Sequence, residues 1–593
     1  MKPTVLAILI LVGVIVAGTV VWRSDEQGNE SLTSDSATTP SVSENIPPPL
    51  AEEKQQYIWN LEHATFEIES RVGKPFAAAL QKTDKDELSR FFLDSFRGHL
   101  PTSAETSIEL PSQVSERSWS APANSEAPVT AVQFIEHLAG RADEFQRIRS
   151  VRLRVLKITA DAKNTDSGKW MLVTLLTVSG TGRDGRHQHF EQTADVVCEF
   201  ANKVKLDDVA IFTTWTVTSE SLRRSSTLFE EVTAAAELDR VDIHDNWKDS
   251  DPRQYTSRIA CDDFNRDGFP DIAVITNEAE AILLQGDGKS FTDVTTDLGL
   301  PRVIASRDAA WIVSWIDFDN DGFSDLLLGP YLYRNRNGRL FQRMNGDAGI
   351  RFEYSPMGCS IADYDCDGRL DVYVVYQHPA AGTQPSDQPR VGWVGDDTSG
   401  APNQLWRNLG DGRFQDVTQG AGVAGGTRHS FAAAWLHANE DHYPDLYVAN
   451  DFAQNSFFMN RGDGTFEDVS IASGTADFAT SMGVATGDID NDGTTEIYVA
   501  NMYSKMGRRI IAHVCDADYS QPIYPQLLGS CAGNRMYQQR SSQDAWTEVS
   551  EPLGINAVGW AYAPALADFD SDGFLDIYAT AGFLSFERDE PDG

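Results

Sequence analysis

The stretch that decides the fold is residues 317–325, DFDNDGFSD, in which aspartate occupies the first, third, fifth and ninth positions and glycine the sixth. Similar stretches recur after residue 225, and each one runs directly into an apolar segment such as DLLLG or DVYVV. A repeat with a period of tens of residues is typical of propellers, solenoids and arrays. We number the copies loops 1 to 6: DFNRDGFPD (263–271), DFDNDGFSD (317–325), DYDCDGRLD (363–371), HANEDHYPD (437–445), DIDNDGTTE (488–496) and DFDSDGFLD (568–576).

A second element, a Gly-Asp-Gly turn followed by a short apolar strand, recurs between the loops, as in QLWRNLGDGRFQDVT (404–418) and SFFMNRGDGTFEDVS (456–470). Loop, strand, turn and strand together supply about four short antiparallel strands, which is the content of one propeller blade of ~40–50 residues. The strand pattern excludes helical solenoids, and β-helix repeats are much shorter. We therefore predict a mainly β chain with a six- or seven-bladed β-propeller. The intervals of 74 and 80 residues between loop starts leave room for a seventh blade, which we favour.

The spacing within each loop predicts a calcium site. In a tight turn, side chains at the first, third and fifth positions converge, the seventh carbonyl faces them, and a ninth carboxylate closes the shell. Calcium takes 6–8 oxygen ligands at ~2.3–2.6 Å, and glycine at the sixth position permits the backbone reversal. Ordinary polar turns of Asp, Asn and Gly are the alternative. Five near-intact copies favour several structural Ca²⁺ sites over that alternative.

Loop 4 departs from the pattern, because His437 replaces the first aspartate and His442 replaces the glycine. We predict that this loop binds no metal. The predicted ligands in the other five loops are Asp263, Asn265, Asp267, Asp271, Asp317, Asp319, Asp321, Asp325, Asp363, Asp365, Asp367, Asp371, Asp488, Asp490, Asp492, Glu496, Asp568, Asp570, Asp572 and Asp576.

The N-terminus predicts a route out of the cytoplasm. Residues 4–22 carry no charge and lie between Lys2 and Arg23, and ~20 apolar residues span a bilayer as a helix. A cleaved signal peptide is the alternative, with Val16-Ala17-Gly18 as a weak cleavage site. Residues 1–23 are thus a signal anchor or signal peptide. Residues 24–50, rich in Ser, Thr, Asn, Glu and Pro, are a disordered linker.

Residues 51–225 read as a small α+β domain. Helical spacing in YIWNLEHATFEIESRV (57–72) and DELSRFFLDSF (86–96) gives way to alternating strands at 151–160, 169–180, 189–201 and 207–220. A Ser/Pro-rich run at 101–128 interrupts the helical part. The order loosely resembles the NTF2-like fold, but it carries no motif, and we assign this domain no chemistry.

Charge and cysteine usage exclude some partners. A net charge of −39, from 88 acidic and 49 basic residues, argues against nucleic acid, whose phosphates need a basic surface. The six cysteines show no spacing typical of zinc sites. Cys515 and Cys531 bracket an insertion, and both a disulfide and free thiols remain open for them.

The repeats resemble FG-GAP/VCBS repeats, found in integrin α-subunit propellers and in many secreted bacterial proteins. The stretch MGVATGDIDNDGTTEIYVANMYS (482–504), with the Gly-Asp-Gly turns, is similar to bacterial relatives of cartilage acidic protein, a family often carrying an ASPIC/UnbV domain. The likeness covers roughly residues 226–593. It implies calcium loops in a seven-bladed propeller, and we carry this over only to the five loops that match.

The expected function is that of a non-enzymatic, calcium-binding, membrane-tethered interaction protein that faces the periplasm or cell exterior and binds protein or polysaccharide. The alternative is a propeller enzyme: a hydrolase, lyase or quinone-type oxidoreductase. No GxSxG or HExxH motif occurs, and fold alone does not assign function. His429, His437 and His442 are the candidate acid/base or transition-metal residues, but we interpret them as surface loop residues.

Overall fold

The computed structural model is mainly β and describes residues 50–581, apart from gaps at 102–104, 111–113, 122–126, 161–167, 201–209, 227–228, 242–256, 277–279, 305–311, 345–347, 353, 355, 378–399, 411, 520–522, 540 and 542–544. The predicted anchor at 1–23 and the linker up to residue 49 lie outside the described residues. Within the described ranges, no helix is long and apolar enough to cross a membrane.

The first region packs four helices against one seven-stranded sheet of order β2-β3-β7-β6-β5-β4, with β1 parallel to β7. Alternate residues of the long strands point into a single core that contains Trp170 and Trp215. The helices are α1 Glu52–Ile68, α2 Lys74–Gln81, α3 Lys85–Ser89 and α4 Ala131–Ala142. The strands are β1 Phe92–His99, β2 Glu105–Leu110, β3 Val114–Ser120, β4 Phe145–Ala160, β5 Lys169–Gly182, β6 His187–Glu199 and β7 Phe212–Ser225.

One prediction for this region is wrong. DELSRFFLDSF is not one helix, because α3 ends at Ser89 and β1 begins at Phe92. Pairing with β7 satisfies the backbone of β1 while Phe92 and Phe96 enter the aromatic core, their ring centroids 4.7 Å apart. The Ser/Pro-rich run contains the antiparallel pair β2 and β3, whose polar residues lie largely exposed and hide the strand pattern.

After residue 256 the chain forms six consecutive units, each containing the loop of the same number. In every unit the second strand begins at the ninth loop residue, as predicted. The strands are β8 Ser257–Asp262, β9 Asp271–Thr276, β10 Ala281–Gly286, β11 Phe291–Asp293; β12 Val313–Ile316, β13 Asp325–Leu328, β14 Tyr331–Asn335, β15 Phe341–Arg343; β16 Gly358–Ala362, β17 Asp371–Val375, β18 Gln404–Gly410, β19 Arg413–Asp416; β20 His429–Leu436, β21 Asp445–Gln454, β22 Ser456–Asn460, β23 Phe466–Asp468; β24 Phe478–Gly487, β25 Glu496–Asn501, β26 Arg535–Gln538, β27 Thr547–Glu548; β28 Ala561–Ala567 and β29 Asp576–Ala581.

The first five units are four-stranded and antiparallel, with β21 and β24 joining units 4 and 5, while the described part of unit 6 is two-stranded. Neighbouring units share their cores; for example, Tyr373 and Val375 of unit 3 pack with Leu446 and Val448 of unit 4. Within a unit, the loop and the Gly-Asp-Gly turn lie at the same end, because the loop follows the first strand and the turn follows the third strand of an antiparallel sheet. We call this the loop end. Short helices follow three outer strands: α5 Thr418–Ala421, α6 Ser470–Ser473 and α9 Ser550–Leu553.

An insertion between β25 and β26 carries α7 Lys505–Ile511 and α8 Ile523–Ala532 at the end opposite the loops. It attaches the first region to the repeats. The Arg509 guanidinium donates to both Glu62 carboxylate oxygens (2.9 and 3.3 Å) and to the Val155 carbonyl (2.9 Å). His513 donates to the Ile158 carbonyl at 3.1 Å. An apolar cluster beside these bonds contains Ile58 of α1, together with Ile510, Ile511 and Leu527 of the insertion.

The cysteines of this insertion are not paired. All six cysteines are free thiols; Cys531 is buried in the apolar cluster beside the junction, and Cys515 is exposed. The alternative of free thiols, left open by the sequence, is therefore the one that the structure contains.

Candidate metal-binding loops

The first and fifth aspartates shape each intact loop. In loop 2 the Asp317 carboxylate accepts the backbone N–H groups of Asp321 (3.1 Å) and Gly322 (2.9 Å). The Asp321 carboxylate in turn accepts the N–H of Phe323 at 3.0 Å. Loops 1, 3, 5 and 6 repeat these bonds. Such bonds also form in polar turns without metal, so they do not distinguish the two interpretations.

Two residues of every intact loop adopt left-handed backbone. The sixth, always glycine, has φ between +84° and +94°. The fourth is left-handed although it is never glycine, and in loops 1, 2, 3 and 5 its side chain contacts the next loop. Asn320 donates to the Gly368 carbonyl and Asn491 to the Gly573 carbonyl, both at 2.7 Å. Loops 2 and 3, and loops 5 and 6, are therefore hydrogen-bonded to each other, a feature that the loop pattern alone did not reveal.

In loops 1 to 4 the ninth carboxylate is buried and links the loop to the third strand. Asp325 accepts the N–H of Phe318 (3.2 Å) and of Asn335 (2.6 Å). Burial raises the pKa of Asp325 to about 8. Asp445 of the degenerate loop 4 makes the same pair of bonds, to Ala438 and Asn460. The ninth carboxylate thus has a structural role even where we predict no metal.

The third aspartate is the residue that hydrogen bonding does not explain. The Asp319 side chain is only 9% exposed; Arg334 Nη2 forms an ion pair with its Oδ2, and Oδ1 is buried without a hydrogen bond from any described residue. One buried oxygen of Asp365 and one of Asp570 are in the same state within the described chain. Buried carboxylate oxygens normally accept a hydrogen bond, so the buried oxygens without one are exceptions that need an explanation. The pKa of Asp319 and the pKa of Asp365 are both raised, chiefly by burial. The neighbouring carboxylates add to this rise, and the adjacent arginine opposes it.

Four of the five intact loops bring three carboxylates together. In each, one oxygen from every member lies within 4.8 Å of the others, so these groups can hold a metal ion. In loop 1 the third residue is Asn265, whose amide donates to Asp267 at 2.9 Å, and the described carboxylates of that loop form no such group. The groups are Asp317, Asp319 and Asp325; Asp363, Asp365 and Asp371; Asp488, Asp490 and Asp492; Asp568, Asp570 and Asp572.

Loop 4 lacks the first carboxylate, and its geometry reflects that loss. The Asp441 N–H is bonded to the Asn439 side chain, at 2.9 Å, where intact loops use the first aspartate. His437 and His442 are exposed, and His442 adopts φ +69° in place of glycine. The described residues of this loop form no acidic group that could hold an ion.

The three histidines do not form one site. His429 begins β20 and is buried, with Nδ1 against the Gln377 carbonyl. His437 follows the last residue of that eight-residue strand. At ~3.3 Å per residue, the two histidines lie roughly 25 Å apart. The interpretation of His437 and His442 as exposed loop residues is confirmed, whereas His429 is a buried residue and that part of the prediction is wrong.

Comparison with known proteins agrees with the repeat pattern. A family model described as FG-GAP-like repeat matches residues 263–328, from loop 1 through the strand after loop 2, and residues 438–499, from loop 4 into the strand after loop 5. This chain contains FG-GAP-like repeats. Such repeats indicate a ligand-binding extracellular repeat protein.

The chain is also similar to cartilage acidic protein 1. It is 24% identical to the Homo sapiens protein over 390 residues, covering 56% of this chain and 57% of that protein. It is 23% identical to the Xenopus tropicalis protein over 394 residues, covering 56% and 58%. The match thus spans little more than half the length of these curated relatives.

Two solved structures overlap with the chain to a limited extent. The V. cholerae biofilm matrix protein Bap1 covers 42% of this chain, which covers 35% of it, at 14% identity and a TM-score of 0.23. BBS1N, solved in complex with ARL6DN, covers 69% of this chain, which covers 94% of it, at 10% identity and a TM-score of 0.24. Both TM-scores are too low to define a shared architecture.

Proposed function

We propose that this chain is a calcium-binding, membrane-tethered extracytoplasmic protein that binds a protein or polysaccharide partner through a β-propeller and performs no catalysis itself. The observation that carries the calcium assignment is the third aspartate of the loops. Asp319 and Asp365 each pair one oxygen with an arginine and place the other, Oδ1, buried and without a hydrogen bond beside two other carboxylates. A cation at that point satisfies these oxygens and neutralises the repulsion between like charges.

The donor set favours calcium over other ions. Every predicted side-chain ligand is an oxygen from Asp, Asn or Glu, which suits hard cations and not zinc. Calcium accepts irregular shells of 6–8 oxygens, whereas magnesium needs near-ideal octahedral geometry and retains its waters. We therefore expect magnesium to substitute poorly.

A ring of seven blades is supported by one contact that repeats between units. The second loop residue of a unit meets the outer-strand phenylalanine of the next unit: Phe264 meets Phe341, with ring centroids 5.5 Å apart. Phe569 of unit 6 meets Phe229 at the same 5.5 Å. Residues 228–241 (LFEEVTAAAELDRV) match 290–303 (SFTDVTTDLGLPRV), the outer strand of unit 1 and the segment after it. Phe229 thus stands at a seventh position, between units 6 and 1.

The hydrogen bonds to unit 1 agree with this placement. The Phe341 N–H donates to the Leu298 carbonyl at 2.7 Å, seven residues after the outer-strand Phe291. The Phe291 N–H donates to the Ala236 carbonyl at 3.1 Å, which is seven residues after Phe229. Segment 229–236 therefore contacts unit 1 in the same way that unit 1 contacts unit 2.

The partner-binding surface that we propose is a groove opposite the loop end. It has a volume of about 690 Å³ and lies between the insertion helices and units 4 and 5. Tyr524 and the half-exposed Leu528 line one wall, and the Arg535–Asp477 ion pair (N···O 2.7 Å) lines the other. Aromatic faces beside a fixed charge pair can bind sugars or peptides through both stacking and hydrogen bonds.

Partner binding is expected to depend on this groove. We expect Tyr524→Ala to weaken binding at least about tenfold, since removing a central aromatic residue at an interface costs ~2 kcal/mol or more. The measurement is a glycan array, with pull-down titrations of the partner identified, on the purified chain. Leu340→Ala, at the exposed loop end of unit 2, is the matched control and should bind normally. Equal loss in both variants, or loss in neither, would contradict the placement of the surface.

Calcium and protons are expected to compete for the loops. Burial raises the pKa of Asp325 to about 8 and the pKa values of Asp371 and Glu496 to about 7. An acid whose pKa is raised by folding binds protons more tightly in the folded state, so the calcium-free chain should gain stability as pH falls from about 8 towards 6. Calcium must displace these protons, so its binding at pH 7 should release them.

Calorimetric titration in two buffers with different ionisation heats measures this proton release, and melting at both pH values without calcium measures the stability change. Calcium binding without proton release, together with calcium-free stability that falls on acidification, would refute the competition.

A further inference from the structure

In loops 2 and 3 an arginine from the third strand of the same unit lies over the acidic group. Arg334 Nη2 contacts the Asp319 carboxylate and is 3.9 Å from Asp321 Oδ2. Arg407 Nη2 is 2.6 Å from Asp365 Oδ2 and 3.2 Å from Asp367 Oδ2. Each guanidinium thus lies against the third and fifth carboxylates, two of the predicted calcium ligands.

The equivalent residue in the other described units is neutral. The strand register identifies this equivalent residue: it is the one directly before the residue whose backbone N–H donates to the ninth carboxylate of the loop. In unit 1 it is Gln285 and in unit 4 it is Met459. In unit 5 it is Gln538, whose amide donates to Asp490 at 2.7 Å.

The set of carboxylates that converge differs between the units with arginine at this position and the unit with glutamine. Where arginine is present, the carboxylates that converge are the first, third and ninth of the loop. In loop 5, which has glutamine, they are the first, third and fifth. Contact with Arg334 in loop 2, and with Arg407 and Arg369 in loop 3, therefore accompanies the removal of the fifth carboxylate, Asp321 or Asp367, from the group.

We infer that Arg334 and Arg407 are built-in counter-cations that compete with calcium, so that the chain has two classes of site: weak sites in loops 2 and 3 and a tighter site in loop 5. This inference rests on the proposed calcium function. Each guanidinium cancels one negative charge at the point where calcium enters, so the ion either meets a positive charge or displaces the arginine. Displacement has a route, because both arginine side chains are about one-third exposed.

The same arginines maintain loops 2 and 3 when calcium is absent. Asp319 and Asp365 are nearly buried, and a buried carboxylate without a counter-charge destabilises its surroundings. Loop 5 has only the neutral Gln538 amide. On calcium withdrawal, loop 5 should therefore loosen before loops 2 and 3.

The test exchanges the arginine of units 2 and 3 and the glutamine of unit 5 at this equivalent position. Arg334→Gln and Arg407→Gln introduce the residue of unit 5 into units 2 and 3, and Gln538→Arg is the converse. Calcium affinities are measured by calorimetric titration, and melting is measured in excess chelator. Arg336→Gln, which alters a surface arginine bonded to Gln342, is the matched control.

We expect each arginine variant to convert one weak site into a tight one, with affinity higher by about tenfold or more, and to melt lower in chelator than the unaltered chain. Gln538→Arg should weaken one tight site by a similar factor. A single class of calcium site that is unchanged in all three variants would overturn the inference and leave the calcium function intact. Absence of calcium binding to the unaltered chain would instead refute the proposed function.

Discussion

Replacing Arg509 by alanine is expected to separate the first α+β region from the repeats. The Arg509 and Glu62 side chains are only 8% and 10% exposed, and the guanidinium also holds the Val155 carbonyl. Without it, Glu62 remains as a nearly buried charge and the Val155 carbonyl loses its donor. Breaking one side of such a pair typically costs ~3–5 kcal/mol. That loss falls on the junction and not on either core, so the two regions should unfold separately.

Scanning calorimetry and limited proteolysis of the purified chain measure this separation. We expect one cooperative transition to become two, and cleavage to appear in the insertion around α7 and α8. Arg508→Ala is the control. Arg508 directly precedes Arg509 in α7, but it pairs at 3.3 Å with a largely exposed Glu551. Exposed pairs contribute ~0–1 kcal/mol. Unchanged unfolding of the Arg509 variant would contradict the junction.

Withdrawing calcium is expected to lower the melting temperature of the repeats strongly. An ion that binds only the folded loop stabilises it by RT ln(1 + [L]/Kd), about 2.7 kcal/mol per site at a hundredfold excess over Kd. Several sites add to this effect, and the side-chain links between loops, such as Asn491 to Gly573, should transmit loosening from one unit to the next. Magnesium at the same concentration should restore little of the loss.

Asp492→Ala and Asp441→Ala form a matched pair for this prediction. Each is the fifth residue of its loop and accepts the N–H of the seventh, Thr494 or Tyr443. Both variants lose that hydrogen bond, but only Asp492 belongs to a converging acidic group. Asp492→Ala should therefore reduce the melting shift caused by calcium, and Asp441→Ala should leave it unchanged. Equal calcium responses in the two variants would mean that loop 5 binds no ion.

The sequence was sufficient for features that lie within one loop. The spacing of acidic residues around Gly322 and its equivalents predicts the turn, the start of the next strand at the ninth residue and the departure of loop 4 from the common hydrogen-bond pattern. Each of these depends on residues fewer than ten positions apart, so the sequence displays the cause directly. In loop 1 the side chains of the predicted ligands at the third and fifth positions, Asn265 and Asp267, are in contact at 2.9 Å.

Features that depend on distant residues could not be predicted in this way. The Arg509–Glu62 pair joins residues 447 positions apart, and nothing in either local pattern marks them as partners. Arg334 reads as an ordinary exposed strand residue until the fold brings it over Asp319. β1 was mistaken for a helix because its partner, β7, lies more than a hundred residues away.

The most direct test of the calcium assignment is to count calcium ions bound to the purified chain at saturation, by equilibrium dialysis with atomic absorption. The chain should bind about five ions, one for each intact loop, and Asp492→Ala should bind one fewer while Asp441→Ala binds the full number. Saturating magnesium should displace few of them. A chain that binds no calcium, or that retains the same number after Asp492→Ala, would contradict the assignment of these loops as calcium sites.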